Sequence, residues 1–225
     1  MVRLILFDID GTLVRTGGAG VKAFVRAFAT EFGLHHGVEK LSFAGRTDTS
    51  LVREFFRLHE VDPHPDNFAR FFHCYVFWLD HFLHRLNGRA LPGVPEIIAA
   101  LRGLPSPPLM GLLTGNIQLG AEIKLRHLGL WDHFLCGAFG DDHEDRNQLA
   151  VLAQERGGRL LKRKLRGEEI LVIGDTPADI ACARAIEARC LAVATGGYAF
   201  TDLQQLSPTW VVRDLREADA EEMCK

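Results

Sequence analysis

The sequence predicts an α/β protein: a doubly wound parallel sheet with a helical domain inserted after its first strand. Three observations carry the prediction. Short apolar runs suited to buried strands alternate with helix-spaced segments from about residue 94 onward. A block from Val21 to about Leu86 breaks that rhythm with helical spacing alone. Several of the strand-like runs end abruptly in carboxylates, hydroxyls and glycine, the chemistry that open α/β sheets gather at the carboxyl ends of their strands.

Taken in order, Leu4-Ile5-Leu6-Phe7 is apolar throughout, as a strand buried on both faces must be. Thr16-Gly17-Gly18-Ala19-Gly20 then makes a flexible turn with the glycines of a hinge. In the helical block the apolar positions Phe24, Phe28 and Phe32, then Leu51, Phe55 and Leu58, then Phe68 through Phe82 recur at helical spacing. Gly33, Gly45 and Pro63-His64-Pro65 divide it into three or four helices. Asn87-Gly88 and Leu91-Pro92-Gly93 mark the return. Helices at 94–103, 117–128, 147–157 and 177–187 then alternate with strands at 109–113, 134–139, 169–174, 190–194 and 209–213. The predicted domains are a core of residues 1–15 and 89–225 and a helical insert of residues 16–88.

Composition bounds the function. The 225 residues fit one large domain or a core with an inserted subdomain, and 47% hydrophobic content is enough for a sizeable core. A formal charge of −3 gives no basic footprint, so no nucleic-acid partner is expected. No apolar stretch approaches the roughly 20 residues of a membrane helix, and the first strand starts where a secretory leader would have its apolar region. Cys74, Cys136, Cys182, Cys190 and Cys224 are scattered and odd in number, the pattern of reduced thiols. A cytoplasmic protein without membrane or zinc is the expectation.

Chemistry concentrates at three strand ends. Asp8-Ile9-Asp10-Gly11-Thr12 follows the first strand, and two carboxylates one residue apart repel each other unless a cation lies between them. Oxygen ligands favour a hard metal ion; an Asx-turn is the ordinary alternative for such a pair. Thr114-Gly115-Asn116 follows Leu109–Leu113, placing a hydroxyl at the start of a helix whose N–H groups favour an anion, although a simple N-cap also explains the threonine. Gly174-Asp175-Thr176-Pro177-Ala178-Asp179 follows Ile170–Ile173, with Thr176 and Pro177 suited to N-cap and first helical position. A helix dipole accounts for Asp179 alone, but not for a second acid at the strand end. Parallel topology puts all three segments on one edge.

In these residues the chain resembles the haloacid dehalogenase superfamily, in its phosphoglycolate-phosphatase-like branch with a helical cap. Asp8-Ile9-Asp10-Gly11-Thr12-Leu13, Thr114-Gly115-Asn116 and Gly174-Asp175 to Asp179 resemble its first, second and fourth motifs; Phe43-Ala44-Gly45-Arg46-Thr47-Asp48 resembles a cap segment and Leu91-Pro92-Gly93-Val94 the exit hinge. The resemblance runs from residue 3 to about residue 215 and implies a Rossmann-like core with an inserted cap. It implies a Mg2+-dependent phosphatase acting on small phosphorylated metabolites, phosphoglycolate-like or sugar phosphate monoesters, through a phosphoaspartate. Asp8 would be the nucleophile and Asp10 the general acid and base. Asp8, the Asp10 carbonyl and Asp175 would hold the metal, with Asp179 on a metal-bound water or orienting its neighbours. Thr114, Gly115 and Asn116 would grip the phosphoryl oxygens, with Thr12 beside the substrate.

The third motif departs from the family pattern. Where a Lys-Pro pair is usual, the chain reads Phe139-Gly140-Asp141-Asp142-His143-Glu144-Asp145-Arg146-Asn147. Some cation must offset Asp8 and a phosphate dianion. Lys124 is the first candidate and Arg146 the competitor, with solvated roles for both as the third possibility. Arg46 is placed to reach the substrate's carboxylate or hydroxyl from the cap, or else lies on the surface at a helix start. His73, His81 and His84 read as the flank of an aromatic stripe, and the basic run from Arg159 to Arg166 as a solvated helix end. A phosphomutase on the same scaffold and a non-catalytic binding protein are the rival functions. Dehalogenation is disfavoured because Asp10, Asp175 and Asp179 are all present.

Overall fold

Successive side chains of a strand face opposite sides of its sheet, and in β1 (Leu4–Phe7) they divide cleanly. Leu4 and Leu6 enter one apolar cluster, Ile5 and Phe7 another. The computed structural model describes residues 1–225. After β1 come β2 (Val14–Arg15), three helices α1 (Ala19–Phe32), α2 (Asp48–Leu58) and α3 (Pro65–Leu83), and β3 (Arg89–Ala90). There follow α4 (Val94–Gly103), β4 (Leu109–Leu113), α5 (Gln118–His127), β5 (Cys136–Ala138), α6 (Arg146–Leu160) and β6 (Ile170–Gly174). The chain closes with α7 (Pro177–Ala185), β7 (Arg189–Val193), α8 (Phe200–Gln205), β8 (Trp210–Val212) and α9 (Ala220–Cys224).

The six-stranded sheet has the order β5-β4-β1-β6-β7-β8, with every neighbouring pair parallel. From β1 the chain builds outward through β4 to β5, then crosses back to β6 and builds the other way. The switch leaves the carboxyl ends of β4, β1 and β6 side by side, which is the place where doubly wound sheets bind ligands. On one face α4, α5 and α9 cover Ile5, Phe7, Met110, Leu112, Leu171 and Ile173; on the other, α6, α7 and α8 cover Leu4, Leu6, Ile170 and Val172. The predicted doubly wound parallel sheet is therefore present, each predicted strand and helix beyond residue 94 lying within a few residues of its observed bounds.

A third apolar cluster belongs to α1, α2 and α3. Their helix-spaced phenylalanines meet at its centre, where the ring centroids of Phe28 lie 4.0 Å from Phe55 and 4.3 Å from Phe71. Aromatic pairs at such spacing add about 0.5–1.5 kcal/mol each beyond the area they bury. Thr47 caps α2 by accepting from the Ser50 N–H at 3.3 Å, and Pro65 opens α3. Besides the short helices α8 and α9, a ribbon escaped the sequence: β2 and β3 pair antiparallel, Val14 with Ala90 and Arg15 with Arg89, tying the two ends of the helical insert together. Four residues contain too little periodicity to announce a ribbon.

Candidate active site

Asp8 leaves β1 just after Phe7 and is buried, whereas Asp10 lies where the chain has turned away and keeps its side chain 44% exposed. Gly11 makes that turn with φ +89°, and a Cβ there would lie 2.4 Å from an Asp175 oxygen. Only glycine meets both demands. The turn brings the ends of β1, β4 and β6 around a cavity of about 310 Å³, lined among others by Asp8, Asp10, Thr114, Asn116, Lys124, Arg146 and Asp175.

Two charged clusters divide the site. In the deeper one, single carboxylate oxygens of Asp8, Asp175 and Asp179 lie within 4.8 Å of one another. Arg146 joins them, its guanidinium 3.4 Å from Asp8 and 2.5 Å from Asp179. Burial, reinforced by Asp179, pushes the Asp8 carboxyl up to about 7 despite the opposing pull of Arg146. Asp175 rises to about 8 through burial and then through the charges of Asp8 and Asp179. Burial opposes the charge on Arg146, but Asp179 and Asp8 outweigh it and hold the guanidinium protonated. Its Nε is buried without a partner. In the outer cluster, Lys124 donates to Asp10 at 2.6 Å and to the Asn116 side-chain oxygen at 2.5 Å. Asn116 in turn donates from Nδ2 to Asp10 and to Thr114 Oγ1, each at 2.9 Å.

Four expectations need correction. Lys124 does not offset Asp8; it holds Asp10, and Arg146 is the cation against Asp8. Arg146 opens α6 directly behind its N-cap Asp145, so the short β5 and its loop deliver it to the sheet edge. Thr12 does not line the cavity: it is buried behind Asp175 and donates to that carboxylate at 3.0 Å. The N–H groups opening α5 are not left for an anion, because Asp48 Oδ2 accepts from Ile117 at 3.0 Å and Asp141 Oδ1 from Gln118 at 2.9 Å. Arg46 lines the cavity, yet its guanidinium is engaged with Glu54 at 2.9 Å and Ser50 at 3.2 Å. The other expected residues reach the site. Thr114 Oγ1 accepts from the Asn116 N–H at 3.3 Å, Gly115 lines the cavity, and Asp179 accepts from the Thr176 N–H and hydroxyl at 3.0 and 2.7 Å.

Asp48 is the site residue that sequence reasoning passed over. Behind an N-cap threonine it reads as a helix-dipole acid, but its side chain leaves its own helix for the start of α5. Burial raises its carboxyl to about 6, with Lys124 opposing. It is part of a seam that seats the helical insert on the sheet edge. The Asp48 N–H donates to the Gly115 carbonyl at 2.7 Å, Thr49 to the Gly140 carbonyl at 2.5 Å, and Arg53 meets Glu144 at 2.7 Å. A Cβ on Gly115 would stand 2.0 Å from the Arg46 carbonyl oxygen, so glycine is required for the approach. The acidic run after β5 is likewise structural: Asp142 pairs with Arg156 at 2.6 Å and Asp145 caps α6.

The deep cluster fits a hard divalent cation. Its donors are carboxylate oxygens, and three buried acids face one guanidinium, which leaves negative charge that a cation would neutralise. Asp179 already serves Thr176 and Arg146, so Asp8 and Asp175 are the freer ligands. No histidine or cysteine joins a comparable cluster, and all five cysteines are free thiols. No helix is long and apolar enough to cross a membrane.

Comparison with known proteins agrees with this geometry. The model of a family described as haloacid dehalogenase-like hydrolase matches residues 2–187. A phosphoglycolate phosphatase of Chromobacterium violaceum is 27% identical, over 96% of this chain and 94% of its own. A probable phosphatase, IndB, of Dickeya dadantii is 23% identical, over 96% and 92%. Among solved structures, a variant of CbbY from Rhodobacter sphaeroides in complex with xylulose-(1,5)bisphosphate superposes with a TM-score of 0.77 at 18% identity, covering 96% of both chains.

Proposed function

We propose, from the premise that this chain belongs to the haloacid dehalogenase-like hydrolase family, that it is a Mg2+-dependent phosphatase of small phosphate monoesters. The observation that carries the proposal is the division of labour between two aspartates opening on one cavity. Asp8 is buried against Arg146, as a nucleophile facing a dianion requires, and Asp10 is half-exposed and held by Lys124 and Asn116, as a proton carrier at the leaving-group side requires.

The overall reaction converts ROPO3²⁻ and water into ROH and HPO4²⁻. In the first half an Asp8 oxygen bonds to phosphorus, the bond from phosphorus to the ester oxygen breaks, and Asp10 passes its proton to the departing alkoxide. In the second half Asp10 takes a proton from water as that oxygen attacks phosphorus, and the bond from phosphorus to Asp8 breaks. Mg2+, when bound by Asp8, Asp175 and the Asp10 carbonyl, supplies charge neutralisation for the nucleophile and the phosphoryl oxygens. Arg146 offsets the charge of Asp8 and orients Asp179, while Thr114 and the Gly115–Asn116 segment face the phosphoryl group. We read residues 16–88 as the cap, whose seam along Asp48, Thr49 and Arg53 excludes water when seated.

The test is phosphate release from a panel of phosphorylated metabolites and an aryl phosphate, with Mg2+ and with EDTA. Release that requires the metal and vanishes in Asp8→Asn is expected. A folded protein that hydrolyses none of the esters, or hydrolyses them equally well in EDTA, contradicts the proposal.

A further inference from the structure

The insert's wall of the cavity carries information about what the phosphoryl group is attached to. Phe24 of α1, Leu51 of α2 and Phe43 in the loop before α2 give it an apolar surface, with the Phe24 and Phe43 rings 5.3 Å apart. The polar groups beside them are the Tyr75 side chain of α3 and the Asp48 carboxyl. Gly20 lies beside both polar ends of this wall: a methyl group there would stand in ordinary contact with the Tyr75 hydroxyl at 3.7 Å and Lys124 Nζ at 3.6 Å.

Positive charge at this end is already committed. Arg46 is the one cation of the insert that lines the cavity, and Glu54 neutralises it at 2.9 Å. Lys124 is engaged with Asp10 at 2.6 Å. A carboxylate or second phosphate on the leaving group would therefore meet apolar rings and the Asp48 carboxyl with no free cation to receive it. Like-charge juxtaposition and an unpaired buried anion both penalise such a ligand. An uncharged alcohol meets none of these costs, and a hydroxyl on it finds the Tyr75 phenol.

We infer that this cavity selects phosphate monoesters of uncharged, hydroxyl-bearing alcohols and rejects esters whose leaving group carries a second anion. The inference rests on the phosphatase reading above and narrows its substrate class.

Two sets of esters of similar size separate the outcomes in the full chain with Mg2+. One contains glycerol 3-phosphate and hexose 6-phosphates; the other contains phosphoglycolate and a sugar bisphosphate; 4-nitrophenyl phosphate is the common reference. The best neutral ester is expected to exceed the best anionic one in kcat/KM by about tenfold or more. Glu54→Gln, which frees Arg46 at a surface ion pair, is expected to raise kcat/KM for phosphoglycolate about tenfold with the neutral esters unchanged. Tyr75→Phe is expected to lower kcat/KM for the hydroxylated esters while sparing the aryl reference. Equal or better turnover of the anionic set by the natural chain overturns the inference, and so does a Tyr75→Phe loss shared by the aryl ester. Absence of release from every ester, the aryl reference included, overturns the phosphatase reading itself and this inference with it.

Discussion

Arg146→Met removes the one cation that faces Asp8 while keeping most of the side chain's bulk. In the natural chain the guanidinium lies 3.4 Å from Asp8 and 2.5 Å from Asp179, all three side chains nearly inaccessible to solvent. Deleting one partner of a buried charge cluster costs about 3–5 kcal/mol, because the remaining charges stay buried without compensation. The cost depends on pH, and its sign follows from Asp8, whose carboxyl stands near 7 in the folded protein against 3.8 for the free side chain. Between those values the folded state holds a proton that the unfolded chain has released, so stability falls as pH rises. Removing Arg146, which lowers the Asp8 value, lengthens that fall. Urea unfolding in EDTA should therefore show a deficit of about 3–5 kcal/mol at pH 8, and a smaller one at pH 5, where Asp8 is protonated and no longer draws on the guanidinium. With Mg2+, kcat should drop about 10²–10³-fold, since a unit charge pair near 4 Å contributes about 4 kcal/mol at an effective dielectric of 20. An equal deficit at both pH values, or a kcat within threefold of the natural chain, would refute the reasoning.

Lys124→Met should behave differently, because the carboxylate it leaves behind on Asp10 is 44% exposed and water can replace the lost partner. A stability cost of about 1–2 kcal/mol is expected by calorimetry, together with a fall in kcat larger than any rise in KM. Unchanged kcat would remove Lys124 from the chemistry. For the natural chain without metal, Asp8 at about 7 and Asp175 at about 8 are both raised from 3.8. Their protons are retained only in the folded state, so stability should fall between pH 4 and 8, by at most about 1.4 kcal/mol per pH unit for each group. Thermal melts in EDTA across that range check the slope, which excess Mg2+ should flatten at the alkaline end; a melting temperature rising toward pH 8 in EDTA would contradict it.

The framework was legible because its signals are dense. Leu4–Phe7, Leu109–Leu113 and Ile170–Gly174 are apolar throughout and end in the three segments that meet at the sheet edge. The aromatic spacing of residues 24–82 likewise announced three or four helices, of which three are present. What sequence could not supply was direction. Lys124 lies in the last turn of α5 and Arg146 opens α6, and only the observed geometry shows one turning to Asp10 and the other to Asp8. A signal was present: Asp145 is a good N-cap, which would have set Arg146 at the first helical position just beyond β5. Arg46 is the opposite case. Glu54 stands two helical turns further along, and nothing in the spacing reveals that it, rather than a substrate, takes the guanidinium. Asp48 hid for a related reason, since an acid at the start of α2 needs no partner elsewhere, yet it caps α5 from across the cavity.

The central claim is that Asp8 carries the phosphoryl group between substrate and water. Rapid acid quench during turnover, followed by intact-mass and peptide analysis, measures it directly. The account predicts one added phosphoryl group on the peptide containing Asp8, released by hydroxylamine and absent in Asp8→Asn. Turnover with no phosphorylated Asp8 at any quench time, or with the label on another residue, would contradict it.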